Sequence, residues 1–363
     1  MDHKQPSLGR KLLRATLIIL LVLVLVVVAV LGAAYAYYRS KISMLQPDDT
    51  LPSEDRVLDA SEEQELNDQS QDLNNAMQDI LAGLEFAPPV LPQRPAATEP
   101  EENDHVINIL LIGTDDAGDG FRAAARGDTC MLFSVNTAGD HPVISLVSFE
   151  RGMGVPILEG QYEGQWDWLT HTFFYGGAEL MLKEIQYCFD LDVDYYVRVN
   201  FHSFIAGIDA IGGVDVYLDS AEASYFINGA KFDVTVGMNH LNGRQALAYA
   251  RLREIDSDWQ RIERQREVIE SAINQLRKLE LADADALIND LLGLVRTNMD
   301  EKIITELLLL LPSLPSATVQ QMTIPQAGTY GGMTGMGGRG LFAADFEVNT
   351  KILHEFLYGP ESE

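Results

Sequence analysis

Two carboxylates and an arginine stand at the ends of two predicted strands, on either side of a glycine-rich loop. Asp115 follows a predicted strand at 105–113, and Asp128 comes just before another at 129–136, two residues after Arg126. Facing loops at strand ends bring such side chains together. Mg²⁺ takes one or two carboxylates, and waters and phosphate oxygens complete its octahedron. The pattern favours a site for a hard cation, although aspartates are also common in ordinary turns.

Arginine is scarce in this chain and is densest just before and inside one predicted helix. If that approach is extended, Arg251 and Arg253 point to the same side, because strand side chains alternate. Arg261 and Gln265 are four residues apart and share one helix face. Facing guanidinium forks suit bidentate phosphate binding, but a helix of Glu–Arg pairs would give a similar pattern. A further arginine, Arg151, follows a predicted strand, where a single arginine usually forms a surface pair.

Short apolar runs alternate with helical stretches after Asp104, a pattern typical of an α/β domain, here with a central sheet and flanking helices. Strands are predicted at residues 105–113, 129–136, 143–148, 195–199, 214–218 and 319–324. Helices are predicted at residues 177–189, 201–211, 242–250, 258–279, 284–295, 303–311 and 344–358. The stretch 328–340 holds seven glycines in thirteen positions and is expected to be a mobile loop.

An uncharged apolar run of 24 residues, Ala15 to Tyr38, is long enough to cross a bilayer as a helix. Basic residues precede it, so the positive-inside rule predicts a cytoplasmic N-terminus and an extracytoplasmic remainder. A cleaved signal peptide is the alternative, since Ala34 and Ala36 form a small-residue pair. The run nevertheless exceeds the usual length of a signal-peptide core.

The segment from Gln46 to Asp104 carries 16 acidic residues against two arginines. Apolar residues recur in it at helical spacing between about Ser61 and Leu84, which predicts one amphipathic helix. The preferred interpretation is a solvated spacer between membrane and domain, and a dedicated binding tail is the alternative.

Composition excludes several function classes. The net charge of −28 opposes broad nucleic-acid binding, because phosphate backbones would be repelled. The chain has two cysteines without metal spacing, and no nucleophile elbow, zinc-protease motif or Walker loop. Any anion site must therefore be concentrated in a few arginines.

The order and spacing of these motifs resemble the LytR-CpsA-Psr family of membrane-anchored cell-wall phosphotransferases. The resemblance covers about residues 108–279 and rests on the segments NILLIGTD, RGDTCML, WLTHTFFYGG, VDYYVRVNFHSF, IDAIGGVDV, LNGRQALAYARLREIDSD and RIERQR. It implies a mixed central sheet and the following organisation: a cytoplasmic N-terminus (1–14), a transmembrane helix (15–38), an acidic stalk (39–104), a catalytic domain (105–359) and a short tail (360–363).

The resemblance implies transfer of a glycopolymer, such as teichoic acid or a capsular polysaccharide, from a polyprenyl diphosphate carrier to peptidoglycan with Mg²⁺. By position, Asp115 and Asp128 look like the metal-side carboxylates. The implied diphosphate-binding residues are Arg126, Arg151, Arg251, Arg253, Arg261 and Gln265. Of the whole set, Asp115, Asp128, Arg126 and Arg251 are the implied catalytic residues.

The sequence departs from the family pattern after the third strand. There Glu150-Arg151-Gly152 stands where the family usually has Pro-Arg-Asp, and Trp168 and Thr170 precede a glycine pair that Lys and Asn normally precede. Two other functions therefore stay open: a non-catalytic protein that binds the lipid diphosphate or the wall polymer, and a lipid-diphosphate hydrolase using the same site.

Overall fold

A mixed six-stranded sheet forms the centre of the protein in the computed structural model. The structure describes residues 60–85, 105–116, 120–122, 125–278 and 293–359, together with 40, 43, 46–48 and 89. Across the sheet the strands follow the order β10 (Thr318–Ile324), β3 (Val143–Phe149), β2 (Gly127–Asn136), β1 (Val106–Thr114), β6 (Tyr195–Val199) and β9 (Arg296–Thr297). β1 is antiparallel to β2 and parallel to β6, and β10 is parallel to β3. This confirms the predicted α/β fold with a mixed sheet and flanking helices.

The bounds of the elements agree with most of the expectations. The strands of the central sheet are β1 (Val106–Thr114), β2 (Gly127–Asn136), β3 (Val143–Phe149), β6 (Tyr195–Val199), β9 (Arg296–Thr297) and β10 (Thr318–Ile324). Three small two-stranded sheets comprise β4 (Gly154–Pro156) with β5 (Trp166–Trp168), β7 (Val214–Leu218) with β8 (Gly237–Leu241), and β11 (Tyr330–Thr334) with β12 (Gly340–Ala344). The α-helices are α1 (Ala60–Leu81), α2 (Leu169–Phe189), α3 (Phe201–Ala210), α4 (Ser220–Tyr225), α5 (Gly243–Arg251), α6 (Asp258–Leu276), α7 (Glu301–Leu310) and α8 (Phe346–Tyr358).

Strand alternation divides the sheet between two cores. On one face Leu132 and Val147 pack with residues of α2 and α8, including Phe189 and Phe346, whose ring centroids are 5.3 Å apart. On the other face Leu146 packs in one cluster with Ile273 of α6 and Leu310 of α7. The sheet is thus a middle layer, and both its faces are covered by helices.

The helix expected between about Ser61 and Leu84 is present as α1, but it is not a free spacer. Leu66, Leu73, Met77 and Leu81 are all buried against the domain, at 1–4% exposure. Their partners include Trp168 and residues of β12. The sequence shows the apolar stripe of a helix but not the surface that covers it, because that surface is more than eighty residues away along the chain.

The expectation of a mobile loop at 328–340 is wrong. Backbone pairing forms the hairpin of β11 and β12 there, with Gly332 opposite Phe342 and a short 3₁₀ turn between the strands. Glycine-rich composition disfavours packing of side chains, but it leaves the backbone hydrogen bonds available. The hairpin then presents Leu341 and Phe342 to α1.

The predicted membrane span at Ala15–Tyr38 and most of the predicted helix at 284–295 lie outside the described residues. In the part of the chain that the structure describes, no helix combines the length and apolarity needed to cross a membrane. Cys130 and Cys188 are free thiols buried in the main core.

Candidate functional site

Asp115, Arg126 and Asp128 lie together where β1 ends and β2 begins, because the two strands are antiparallel and Thr114 pairs with Gly127. The Arg126 backbone N–H donates to Asp115 Oδ1 at 2.9 Å, and Arg126 Nε donates to Asp115 Oδ2 at 3.0 Å. The same guanidinium reaches Asp128 Oδ2 at 3.5 Å through its Nη2. The two carboxylates predicted to converge therefore both lie against the Arg126 guanidinium.

Arg151 extends this cluster from the end of β3. It is buried, at 3% exposure, and donates from Nη1 to Asp128 Oδ1 at 3.0 Å and from Nε to Asp258 Oδ2 at 3.2 Å. Arg261 donates to the same oxygen of Asp258 at 2.9 Å. The expectation of a surface ion pair does not hold for Arg151, because it joins β2 to α6 in the interior.

The other predicted phosphate-binding residues line the same region, though not on an extended strand. Arg251 is the last residue of α5 and stacks on Phe201, with 4.2 Å between its guanidinium carbon and the ring centroid. Arg253 follows in the turn before α6, and the Gln265 amide donates to the Ala250 carbonyl at 3.4 Å. The capping box of Asn242 and Gln245 fixes the start of α5, and the helix that follows ends at Arg251.

The electrostatics of the cluster favour a bound anion. Burial would raise the pKa of Asp128, but the guanidiniums of Arg151 and Arg126, with those of Arg261 and Arg253, hold it well below its usual range. Burial and the charge of Arg151 lower the pKa of Arg261 to about 10, even beside Asp258. Its Nε is buried and has no hydrogen-bond partner among the described residues. Positive charge is thus in local excess inside a chain that is acidic overall.

Glu150 adds a buried acid to the edge of the cluster. Its Oε1 accepts the Gly152 N–H at 3.2 Å, and within the described ranges its Oε2 is buried with no hydrogen-bond partner. Burial and the neighbouring Asp258 raise the pKa of Glu150 to about 8, against an ordinary value of 4.5. At neutral pH this carboxyl is therefore mostly neutral.

An apolar cavity of about 160 Å³ opens at the arginines. Its walls are apolar side chains from β1, β2, α3, α5 and α6, among them Leu111, Met131 and Phe204. Arg251, Arg253 and Arg261 line it together with Asp128. The arrangement places cationic groups next to a space suited to a hydrocarbon chain.

A second, polar cavity of about 570 Å³ lies beside the first, and Arg253 lines both. The cationic side of this polar cavity also includes Arg126 and Arg151. Its outer side includes Leu73 and Met77 of α1.

The carboxylates of Asp115 and Asp128, which share the Arg126 guanidinium, are the kind of ligand that Mg²⁺ prefers. This ion takes hard oxygen ligands and leaves most of its coordination positions to water and phosphate. Asp128 Oδ2 lies 3.5 Å from Arg126 Nη2, whereas both oxygens of Asp115 accept hydrogen bonds from Arg126. Over the described ranges no group of three or more His, Cys, Asp or Glu side chains is placed to hold a metal ion by itself. The residues fit a metal that shares its coordination with a bound phosphate.

Sequence reasoning missed two members of the cluster. Asp258 lies in the first turn of α6, where an aspartate commonly caps a helix, but its side chain pairs with two arginines. Glu150 is recognisable in the sequence only as the residue that stands in place of the family's proline. The signal for Asp258 was its place three residues before Arg261, which is the spacing of a helical ion pair.

Comparison with known proteins gives relatives and folds of one kind. The sequence matches the LytR_cpsA_psr family over residues 62–350. It is 32% identical over 179 residues to the "polyisoprenyl-teichoic acid–peptidoglycan teichoic acid transferase TagU" of Enterococcus faecalis, covering 49% of this chain and 56% of that protein. The protein of the same name from Oceanobacillus iheyensis is 33% identical over 204 residues, covering 53% and 59%. The chain thus spans less than two thirds of these relatives.

Solved structures share the fold. TagT bound to LIIa-WTA has a TM-score of 0.56 and 24% identity, and the match covers 74% of this chain and 98% of that one. TagV of Bacillus subtilis also has a TM-score of 0.56, with 23% identity over 72% of this chain and 100% of that one. Since the family match extends over most of its length, the chain belongs to the LytR_cpsA_psr family.

Proposed function

We propose that this protein is a membrane-anchored phosphotransferase that moves a glycopolymer from a polyprenyl diphosphate carrier to a hydroxyl of peptidoglycan. The observation that carries the proposal is the convergence of Arg251, Arg253 and Arg261 at the mouth of an apolar cavity. A polyprenyl diphosphate has matching parts, a hydrocarbon chain joined to a polyanion. The names of the relatives, which are teichoic acid transferases, support the same class of reaction.

In this proposal the arginines position the diphosphate and neutralise its charge. Guanidinium forks bind phosphate oxygens bidentately, and most of the catalysis of phosphoryl transfer comes from positioning and electrostatic stabilisation. Arg151 and Arg126 are held in place by Asp128 and Asp115, so they need little reorganisation when the substrate binds. The buried Nε of Arg261 gains the acceptor that it lacks among the described residues.

The reaction forms one P–O bond and breaks another. The acceptor hydroxyl oxygen attacks the phosphorus that carries the glycan, the bond to polyprenyl phosphate breaks, and the hydroxyl proton is released to solvent. Mg²⁺ held by Asp115 and Asp128 would add charge neutralisation at the phosphate oxygens. No nucleotide is needed, because the diphosphate bond is itself the activated linkage.

The N-terminal run at Ala15–Tyr38 would anchor the chain in the membrane with the domain on the extracytoplasmic side. This location gives the domain access both to a lipid-linked donor and to the wall.

The full chain, incubated with a polyprenyl diphosphate carrying a labelled glycan, Mg²⁺ and peptidoglycan, tests the proposal. The expected result is label covalently attached to peptidoglycan and one polyprenyl phosphate released per transferred glycan. Label released as free glycan phosphate, with or without acceptor, would identify a hydrolase instead. Tight binding of the donor without any product would identify a binding protein. Addition of EDTA separately tests the role of Mg²⁺.

A further inference from the structure

The polar cavity meets the diphosphate-binding arginines on one side, and its other walls have no part in the chemistry described so far. It occupies about 570 Å³, within the size range of small-molecule sites. Because Arg253 lines this cavity and the apolar one, a diphosphate held at Arg253 would have its lipid on one side and the polar cavity on the other.

The walls of the polar cavity combine aromatic and carboxylate groups. Trp259 is half-buried and packs against Tyr330 and Phe342, with ring centroids 5.9 and 6.0 Å away. Around it, Glu254 supplies an exposed carboxylate, and Asp256 supplies one that is paired with Arg264. This lining suits a sugar, whose C–H face packs on the electron-rich face of an aromatic ring and whose hydroxyls donate to carboxylates.

Two buried carboxyl oxygens at this cavity lack partners among the residues that the structure describes. They are Oε2 of Glu150, a residue with 1% exposure, and Oδ1 of Asp258. Buried polar atoms are nearly always hydrogen-bonded in native proteins, so unpaired ones at a cavity wall point to a ligand or solvent that fills it. Hydroxyl groups both donate and accept hydrogen bonds, so they can pair with an ionised carboxylate and with a protonated carboxyl alike.

The outer wall comes from α1, which belongs to the acidic N-terminal segment. Leu73, Met77 and Ile80 line the cavity, and Leu73 and Met77 are buried at 4% and 1% exposure. α1 contacts the chain closely at Gly152. A Cβ built on that residue would lie 2.9 Å from Met77 Sδ, so the flexible Met77 side chain would have to shift to make room for it.

We propose that α1 completes the wall of the polar cavity and so takes part in choosing the sugar that lies there next to the diphosphate. The inference rests on the proposed function, since the diphosphate at the arginines locates the sugar. The sugar is the one attached to the donor phosphate or the one that carries the accepting hydroxyl. Both present the same chemistry, a pyranose ring with hydroxyl and amide groups.

The test compares two lipids on the purified full chain by titration calorimetry. One is a bare polyprenyl diphosphate, and the other is the same lipid carrying one N-acetylhexosamine. Two matched variants of α1 are compared. Leu73→Ala removes a buried leucine that lines the cavity, and Leu66→Ala removes one that lies away from it. Trp259→Phe reduces the aromatic surface. The acceptor arm measures KM for a soluble peptidoglycan fragment with each variant.

If the cavity holds the donor sugar, Leu73→Ala and Trp259→Phe should weaken binding of the glycosylated lipid roughly tenfold and leave binding of the bare lipid unchanged. For an acceptor sugar, the same variants should raise KM for the fragment by about that factor and leave both lipids unchanged. Leu66→Ala should change neither the affinity for the two lipids nor KM for the fragment.

Three results would overturn the inference: equal weakening of both lipids, the same loss in Leu66→Ala as in Leu73→Ala, or no change in any arm. Failure of the wild-type chain to bind the bare lipid would overturn the proposed function, and this inference with it. Normal binding of the bare lipid without any effect of the cavity variants overturns this inference alone.

Discussion

The sulfur of Met77 occupies the space in which a side chain at residue 152 would begin. A Cβ built on Gly152 would lie 2.9 Å from Met77 Sδ and 3.5 Å from Glu150 Oε1. A side chain at this position would therefore meet the flexible end of the Met77 side chain, whereas the Glu150 oxygen is at ordinary contact distance. The departure from the Pro-Arg-Asp pattern thus lies where α1 meets the chain next to Arg151.

Gly152→Ala should lower the free energy of unfolding by about 1 kcal/mol, because the added methyl group overpacks the contact with Met77, whose flexible side chain can shift to relieve part of it. Backbone strain does not contribute, since Gly152 is not among the residues with positive φ. Met77→Ala is also destabilising by itself, because it leaves a cavity. The double variant should cost less than the sum of the two single variants, as measured by urea unfolding. Simple additivity would contradict the proposed contact.

Asp128→Asn should destabilise the fold by about 3 kcal/mol, because it removes the charge that faces the buried Arg151 and the neighbouring Arg126. The same variant should abolish transfer in the labelled-glycan assay. Asp140→Asn, in an exposed turn, is the matched control and should change neither quantity. Wild-type stability in Asp128→Asn would show that the Arg151–Asp128 pair contributes little.

Stability should depend on pH through Glu150. The pKa of this carboxyl is raised to about 8 in the folded chain from an ordinary 4.5, so between these values the folded state holds a proton that the unfolded state has released. Its contribution to stability is therefore fully present below about 4.5 and is lost as the pH rises through about 8. Urea unfolding at several pH values should show this decline in the wild type.

Glu150→Gln keeps the shape of the side chain and removes the titration. The decline in the free energy of unfolding between pH 5 and pH 8.5 should therefore be smaller in this variant, because residue 150 no longer takes up a proton. An identical pH profile in both proteins would mean that Glu150 ionises normally in the folded chain.

Arg251→Ala should strongly reduce transfer while changing the melting temperature little, because Arg251 is exposed and its contact with Phe201 lies at the mouth of the apolar cavity. Arg244→Ala, an exposed arginine in the same helix, is the control and should retain activity. Arg251→Lys should recover only part of the activity, because an ammonium group lacks the planar fork that binds two oxygens. Full activity of Arg251→Lys would reduce the role of Arg251 to charge alone.

The sheet and most of the arginine cluster were accessible from the sequence because their signals are local. Strand alternation, the spacing of Arg261 and Gln265, and the aspartates at strand ends all lie within a few residues. Arg251 and Arg253 line one cavity as expected, although Arg251 ends a helix and is not on a strand.

What the sequence did not reveal depends on distant contacts. The burial of α1 requires β12 and Trp168, and the pairing of Asp258 with Arg151 joins residues 107 positions apart. The β11–β12 hairpin was missed for a different reason. Its cohesion comes from backbone hydrogen bonds, whereas composition reports mainly on side chains.

The contact of Asp48 with Arg198 anchors the chain to the domain ahead of α1. Buried Arg198 binds Asp48 at 3.1 Å, and Gln46 forms a β-bridge with Arg296. α1 begins twelve residues after Asp48 and is itself docked on the domain. If Ala15–Tyr38 spans the membrane as proposed, Gln46 follows the span by eight positions, a stretch that reaches at most about 28 Å when fully extended. The arginine cluster is then held near the bilayer surface, where the head group of a lipid-linked donor lies.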